Sequence, residues 1–474
     1  MSVLEKIFQI IITKQIMEKI KSSLRESKSA RWFVLITVSF LMLTGYFFTD
    51  ILSPLQGMLR ENMGWTNSEY GAFAGSYSFL NVFCLMLIFG GIILDKAGIR
   101  FTGTFFVGVM IVGAFFNYYA MTDTFNSGGL GYDFLNSFLT DYKPSLKLAI
   151  LGYSLFGVGV EIAGITVSRI LVKWFKGKEL ALAMGLEMAT ARGGMLIAFS
   201  ASPLMTGKEH IISRPLAFGV ILLVIGFLAF FIHNMMDKKL DKEVAADTSV
   251  EDSEEEFKIS DVFLLFKNPG FILIALLCVL FYSAVFPFTK FAPDLMAQKY
   301  LFPKEYAGTI VSLLPAGTIF LTPLFGSFMD RKGKAASIMI LGSLLLILVH
   351  LIFAFSPSSK IFAIIAMVIL GFAFSFVPAA MWPSVPKIIP ESRLGSAYAM
   401  IFMIQNIGLM TFPMLLGLVL DKSNQGLAEG QNLDYTNPML LMVGCGVAAL
   451  FVAFRLRAID KKKGYGLDLP NIQE

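Results

Sequence analysis

Gly91-Ile-Ile-Leu-Asp95-Lys96-Ala-Gly98-Ile-Arg100 returns later in the chain as Gly326-Ser-Phe-Met-Asp330-Arg331-Lys332-Gly333-Lys334. Each copy runs Gly, Asp four residues on, Gly three further, then a base. The copies start 326 − 91 = 235 residues apart, close to half of the 474-residue chain. The residue types describe a tight turn between two helices. Gly98 and Gly333 permit a turn backbone that other residues resist. Gly91 and Gly326 are expected to let a neighbouring helix approach closely. Asp95, Asp330 and the flanking bases Arg100 and Arg331 are expected to latch onto adjacent helix ends. A pattern repeated at this period marks an internally duplicated chain.

The composition says where such a chain lives. Hydrophobic residues make up 56% and charged residues 15%, with a net charge of 39 − 34 = +5. A soluble domain carries about 25% charge and would be unable to cover this apolar content. A soluble enzyme and a disordered chain are thereby excluded, and no basic tract points to nucleic acid. The three cysteines, Cys84, Cys278 and Cys445, all fall in apolar runs and read as small buried hydrophobes rather than a metal site. No metal and no cofactor is expected.

A bilayer crossing needs about 20 mostly apolar residues. Twelve such spans are expected, at 32–59, 70–94, 101–121, 146–173, 179–205, 214–235, 269–295, 306–329, 335–356, 360–388, 394–420 and 437–457. They are too long and too uniformly apolar for barrel strands. The Lys/Arg clusters at Lys96/Arg100, Lys173/Lys176/Lys178, Arg331/Lys332/Lys334 and 455–463 share one side with the N-terminal stretch, which predicts cytoplasmic termini. The expected organisation is an N-terminal arm (1–31), a six-helix bundle (32–236), an acidic linker (237–268), a second bundle (269–457) and a tail (458–474). The arm reads as an amphipathic helix on the membrane surface or as a disordered tail.

The duplicated turn resembles the loop 2–3 signature of the major facilitator superfamily, which that superfamily repeats at loop 8–9. The resemblance implies an all-α membrane protein, twelve helices in a 6+6 pseudo-symmetric fold around a central cavity, working by alternating access.

Charges inside the spans are costly and mark function by default. Glu161 lies near the middle of span four. Arg192 lies about 20 Å into span five at 1.5 Å per residue, a similar depth. One reading is a closed Glu161–Arg192 ion pair pinning two helices. The other is a cavity that opens onto both, where a substrate competes for them. Arg169 and Glu187, one level nearer the cytoplasm, are expected to pair and to serve structure or gating. Asp50, Lys290 and Asp294 occupy the outer halves of their spans, with gating or latching and substrate contact both open.

The segment Trp174-Phe-Lys-Gly-Lys-Glu-Leu-Ala-Leu-Ala-Met-Gly-Leu-Glu-Met-Ala-Thr-Ala-Arg192 narrows the resemblance. With Gly157-Val-Gly-Val-Glu161, Ala380-Met-Trp382-Pro383, Leu394-Gly-Ser-Ala-Tyr398, Gln405-Asn406-Ile-Gly408, Tyr-Phe-Phe-Thr-Asp50 and Val285-Phe-Pro-Phe288, it is similar to the lysosomal dipeptide transporter branch of the superfamily. That resemblance implies a small zwitterionic peptide as substrate, its carboxylate on Arg192 and its amine on Glu161. It also implies a facilitative uniporter, with proton symport the other reading. The chemistry is coherent, because a guanidinium grips a carboxylate bidentately and a carboxylate receives an ammonium. Tyr282, Trp382, Gln405 and Asn406 are candidate walls from the second half, with simple packing the other reading for each. Rival classes are a transporter of another organic anion or amino acid, and a non-transporting receptor or scaffold. The branch uses a leucine-based sorting signal and an accessory glycoprotein. No acidic dileucine signal stands in residues 1–31, so a bacterial-type plasma membrane is expected, with a lysosomal membrane and an accessory subunit left open; a monomer is what the superfamily resemblance implies.

Overall fold

A computed structural model describes residues 27–175, 178–244, 264–428 and 430–470. Most of the N-terminal arm and most of the acidic linker lie outside the described residues. Among the described residues the secondary structure is helical, with no strand. The chain is a multi-pass integral membrane protein: among the described residues eleven helices are long and apolar enough to cross a membrane. They are α1 (Lys28–Asp50, continuing to Met63), α3 (Met86–Ala120), α4 (Pro144–Phe175), α5 (Leu180–Met205), α6 (Ser213–Val244), α7 (Pro269–Gln298), α8 (Leu313–Lys332), α9 (Ala335–Phe355), α10 (Lys360–Met381), α11 (Leu394–Ser423) and α12 (Thr436–Lys463). The shorter α2 (Asn67–Ser76) opens the twelfth crossing.

That crossing is interrupted, so no single helix covers it. Helix α2 starts on a Thr66–Glu69 capping box. The chain then breaks at Leu85, whose φ is 51°, and resumes as α3. Helix α3 is itself broken at Gly98, at φ 76° and ψ 171°, a conformation that an L side chain rarely adopts. The stretch 67–97 is therefore one crossing and 99–120 the next. The second copy of the turn places Gly333 at φ 68°. There the tail folds back, and the Lys334 amide donates to the Asp468 carbonyl at 3.0 Å.

Helix α6 runs past the expected boundary at 236. Asp237 and Asp241, one turn apart, are helical and lie on a cationic cluster. Lys173 Nζ bonds Asp237 at 2.7 Å and Asp241 at 2.6 Å, and Arg100 Nη1 bonds Asp237 at 2.8 Å and also Asp241. These charges carry the helix to Val244 instead of beginning a linker. Cys84 also departs from expectation: it is exposed at the helix break, whereas Cys278 and Cys445 are buried.

The helices fall into a first half (α1–α6) and a second half (α7–α12). The face carrying Lys96, Arg100, Lys173, Arg331 and Arg457 is called the basic face below. Lipid-facing sides show as exposed apolar side chains such as Phe105, Val112 and Phe115 on α3 and Ile221, Leu228 and Phe231 on α6.

The halves meet closely at the far face. A Cβ at Gly71 would overlap the Pro413 carbonyl of α11, and one at Gly75 the Met410 carbonyl. Backbones approach this closely only where side chains are absent. Gly71→Val is accordingly expected to prevent this far-face closure. In a Cys84→Ser background, a Glu61→Cys side chain should react with a bulky maleimide several-fold faster when Gly71→Val is added. Equal rates would mean that the α2–α11 contact does not govern closure.

Candidate functional site

A cavity of about 220 Å³ lies between the halves. It is lined by Glu161 of α4 and Arg192 of α5, with Asp50, Lys290, Tyr282, Trp382 and Gln405 also in its wall. Pro287 of α7 and Pro413 of α11 line the cavity, each removing a helical hydrogen bond beside it.

The two central charges do not pair with each other. Among the described residues neither Arg192 nor Glu161 enters an ion pair, so the closed-pair reading does not describe this conformation. The Tyr77 hydroxyl donates to Glu161 Oε1 at 2.7 Å. The Arg192 guanidinium sits in an aromatic cage, with Cζ 5.4 Å from the Phe374 ring centroid, 5.7 Å from Phe286 and 5.9 Å from Tyr46. Its Nη1 donates a long hydrogen bond to Met195 Sδ at 3.9 Å; the ring faces consume none of the other N–H donors, which leaves them available to an anion. The charges are thus opposite in sign, at similar depth, and face one volume.

The other expected residues divide. Trp382 Nε1 donates to the Tyr282 hydroxyl at 3.1 Å, and both rings line the cavity. Gln405 also lines it and accepts from Cys278 Sγ at 3.5 Å. Asn406 does not reach the cavity. It is buried in helix packing, and its amide donates to the Phe402 carbonyl at 3.0 Å. Neighbouring residues on a helix point about 100° apart; here Gln405 takes the cavity side and Asn406 turns into the packing.

The expected Arg169–Glu187 pair is not formed either. Arg169 Nη2 bonds Asp95 Oδ1 of the first turn motif at 3.0 Å, and among the described residues Glu187 enters no ion pair. A Cβ at Gly91 or Gly326 would meet nothing within 4 Å, so these glycines permit no close approach here. The charges of the motif make latches instead, Asp95 to Arg169 and Arg100 to Asp237.

At the far face, polar groups join the halves in two tiers. In the inner tier Lys290 Nζ donates to Asp50 Oδ1 at 2.8 Å, to the Thr49 carbonyl at 2.7 Å and to the Tyr153 hydroxyl at 3.1 Å. In the outer tier Arg60 grips Asp294 bidentately, Nη2 to Oδ1 at 3.0 Å and Nη1 to Oδ2 at 3.2 Å. Tyr435 adds a hydroxyl donor to Asp294 at 2.6 Å. Beside them Asp421 of α11 accepts the backbone N–H of Asn67 at 3.2 Å and of Ser68 at 2.7 Å. A carboxylate from the second half thus caps the N-terminus of α2 in the first, where the helix dipole favours negative charge. Of the cavity's lining residues, Met188 is 58% exposed.

Sequence reading missed Tyr46, Tyr77, Phe286 and Phe374 around the central charges, and Arg60, Asn67, Asp421 and Tyr435 in the lock. Tyr46 and Phe286 stand inside quoted motifs, which was the available signal. Arg60 and Asp421 sit at span ends, where charge is unremarked in any membrane protein.

The family profile of the Major Facilitator Superfamily matches residues 130–413 and 289–467. A protein of Mus musculus named lysosomal dipeptide transporter MFSD1 is 28% identical over 425 residues, covering 88% of this chain and 85% of that protein. The Danio rerio protein of the same name is 26% identical over 453 residues, covering 93% and 89%. Among solved structures, a mutant of the nucleoside transporter NupG superposes with TM-score 0.69 at 16% identity, covering 89% of this chain and 99% of that one. A bacterial homolog of the human lysosomal transporter Spinster, in an inward-facing and occupied conformation, superposes with TM-score 0.68 at 16% identity, covering 92% and 98%. At such identity these two show the fold alone.

Proposed function

The chain belongs to the major facilitator superfamily as a membrane transporter, and from that premise we propose that it carries dipeptides by alternating access, with the substrate carboxylate on Arg192 and the substrate amine on Glu161. The observation that carries this reading is that Glu161 and Arg192 face one cavity and that, among the described residues, neither enters an ion pair. Leaving both unpaired is costly unless a ligand supplies the counter-charges. A dipeptide supplies both, whereas a simple anion has no use for Glu161. The name shared by the Mus musculus and Danio rerio relatives supports the same class.

The movement is read as facilitated. The substrate ammonium itself neutralises Glu161, so loading requires no proton there. With the basic face in the cytoplasm, the conformation described is inward-facing, closed by the far-face lock. Arg169–Asp95 and Arg100–Asp237 brace the first half while it rocks as a body.

The test is a thermal-shift titration of the purified protein with dipeptides, N-acetylated dipeptides and free amino acids. Free-amine dipeptides should stabilise it by about 2.7 kcal/mol at hundredfold excess over Kd. N-acetylated forms should stabilise it far less. In Glu161→Gln, free-amine peptides should fall to the level of acetylated ones. Equal stabilisation of the parent protein by acetylated peptides would remove Glu161 as the amine receptor.

A further inference from the structure

One hydrogen bond anchors Glu161. The Tyr77 hydroxyl donates to Oε1 of its carboxylate at 2.7 Å, and both side chains line the cavity. Among the described residues the carboxylate makes no other hydrogen bond and no ion pair. Oε1 is therefore engaged, and Oε2 is left for a ligand.

Gly157 decides where Tyr77 sits. Tyr77 caps the C-terminal end of α2, ahead of the break at Leu85. Its backbone lies directly on α4, for a Cβ at Gly157 would overlap the Tyr77 carbonyl. Gly157 and Glu161 are four residues apart on α4, so they share one face, a turn from each other. The glycine thus lets the end of α2 settle one turn from the carboxylate that the Tyr77 side chain reaches. The Tyr77 ring is walled by Tyr153 and Phe156, at centroid distances of 5.5 and 6.5 Å. Both walls are fixed. Phe156 is fully buried, and the Tyr153 hydroxyl donates to the Thr49 carbonyl at 2.6 Å.

We propose that Tyr77 is a positioning residue for the substrate amine and that Gly157 is its seat. The inference rests on the two-ended binding reading above. An unheld glutamate side chain samples several rotamers, and fixing one of them when the ligand arrives weakens binding. Tyr77 fixes it beforehand, with Oε1 bonded and Oε2 left to the ammonium. Tyr77 does for Glu161 what the ring cage does for Arg192: each charge is held by aromatic residues and stays open to a ligand. This also gives the first glycine of Gly157-Val-Gly-Val-Glu161 a purpose tied to the carboxylate that ends the motif.

Isothermal titration of the full-length protein separates positioning from packing. Tyr77→Phe removes one oxygen and keeps the ring. Its Kd for Ala-Ala should rise roughly five- to thirtyfold, because a hydrogen bond to a charged group is lost. Its Kd for N-acetyl-Ala-Ala, which brings no ammonium, should stay within about twofold of the parent. Adding Tyr77→Phe to Glu161→Gln should change the Ala-Ala Kd by less than about twofold, since the acceptor it positions is already gone. Gly157→Ala should reproduce the selective loss by pushing Tyr77 off α4. An unchanged or lower Kd for Ala-Ala in Tyr77→Phe would overturn the proposal. So would an equal loss for both peptides, or the same loss again in the Glu161→Gln background, since either would mark a packing role. Tyr77→Phe decides the matter even if Gly157→Ala does not fold. If Glu161→Gln binds Ala-Ala as the parent does, the two-ended reading falls and takes this proposal with it. If Glu161→Gln weakens Ala-Ala and Tyr77→Phe does not, only the positioning proposal falls.

Discussion

Arg192→Lys is expected to lose dipeptide binding by roughly hundredfold or more, with little change in the stability of the empty protein. The first half of that expectation follows from geometry. A carboxylate on arginine receives two parallel N–H bonds from a rigid fork, and a lysine ammonium is a compact point charge. Removing one member of a desolvated charge pair costs about 2–5 kcal/mol, which brackets the predicted loss. The second half follows from what Arg192 does in the empty cavity. Among the described residues it makes no ion pair, and its contacts are the rings of Tyr46, Phe286 and Phe374 and a long hydrogen bond to Met195 Sδ at 3.9 Å. A lysine retains a cation among those rings, so Tm without ligand should barely move. A C-terminally amidated dipeptide supplies the internal check, because it has no carboxylate to lose. Its weak binding should be nearly the same in the parent and in Arg192→Lys. If the variant kept full affinity for free-carboxylate dipeptides, Arg192 would not be the carboxylate receptor.

What the sequence made legible tracks what local pattern encodes. Twelve crossings follow from apolar run length, and the duplicated turn exposes the 6+6 plan. The interrupted crossing 67–97 was still found, because hydropathy ignores the kinks at Leu85 and Gly98 that divide it into short helices. Mid-span charge singled out Glu161 and Arg192, since cost alone makes such residues stand out. Pairing was a different matter. Depth along a helix is readable, but rotation about it is poorly so, and a few tens of degrees decide whether Arg169 meets Glu187 or Asp95. The same uncertainty put Asn406 in the cavity beside Gln405. The lock was hidden for another reason: Arg60, Asn67, Asp421 and Tyr435 come from four separate span ends, and only tertiary closure brings them together. Gly91 and Gly326 were read as packing glycines, yet a Cβ at either would meet nothing within 4 Å here.

Asp294→Asn is expected to release the far face. The substitution leaves the Arg60 guanidinium, 24% exposed, without its carboxylate, and takes the charged acceptor from the buried Tyr435 hydroxyl. Breaking a buried pair by removing one partner typically costs 3–5 kcal/mol. The contact joins the two halves, so the loss falls on the closed far face specifically and not on either half alone. A few kcal/mol is enough to invert a two-state conformational equilibrium, each 1.4 kcal/mol being tenfold. The reporter is a spin-label pair at Glu61→Cys and Lys304→Cys in a Cys84→Ser background. Those exposed side chains meet across the far face at 2.5 Å, and an exposed ion pair contributes little of its own. In the parent the label distance should be short and narrowly distributed. In Asp294→Asn a longer population should dominate. Arg60→Met should do the same, and the double variant should be no worse than either single change, since the interaction is already lost. Lys290→Met should act in the same direction through the inner tier, because it strands the buried Asp50. A lowered Tm with an unchanged distance distribution would mean that Arg60–Asp294 merely holds the fold together. A lengthened distance would make it the element that sets the resting conformation. In that case dipeptide uptake and release should shift in rate while the affinity of the two-charge site, several turns deeper, stays within a few-fold of the parent.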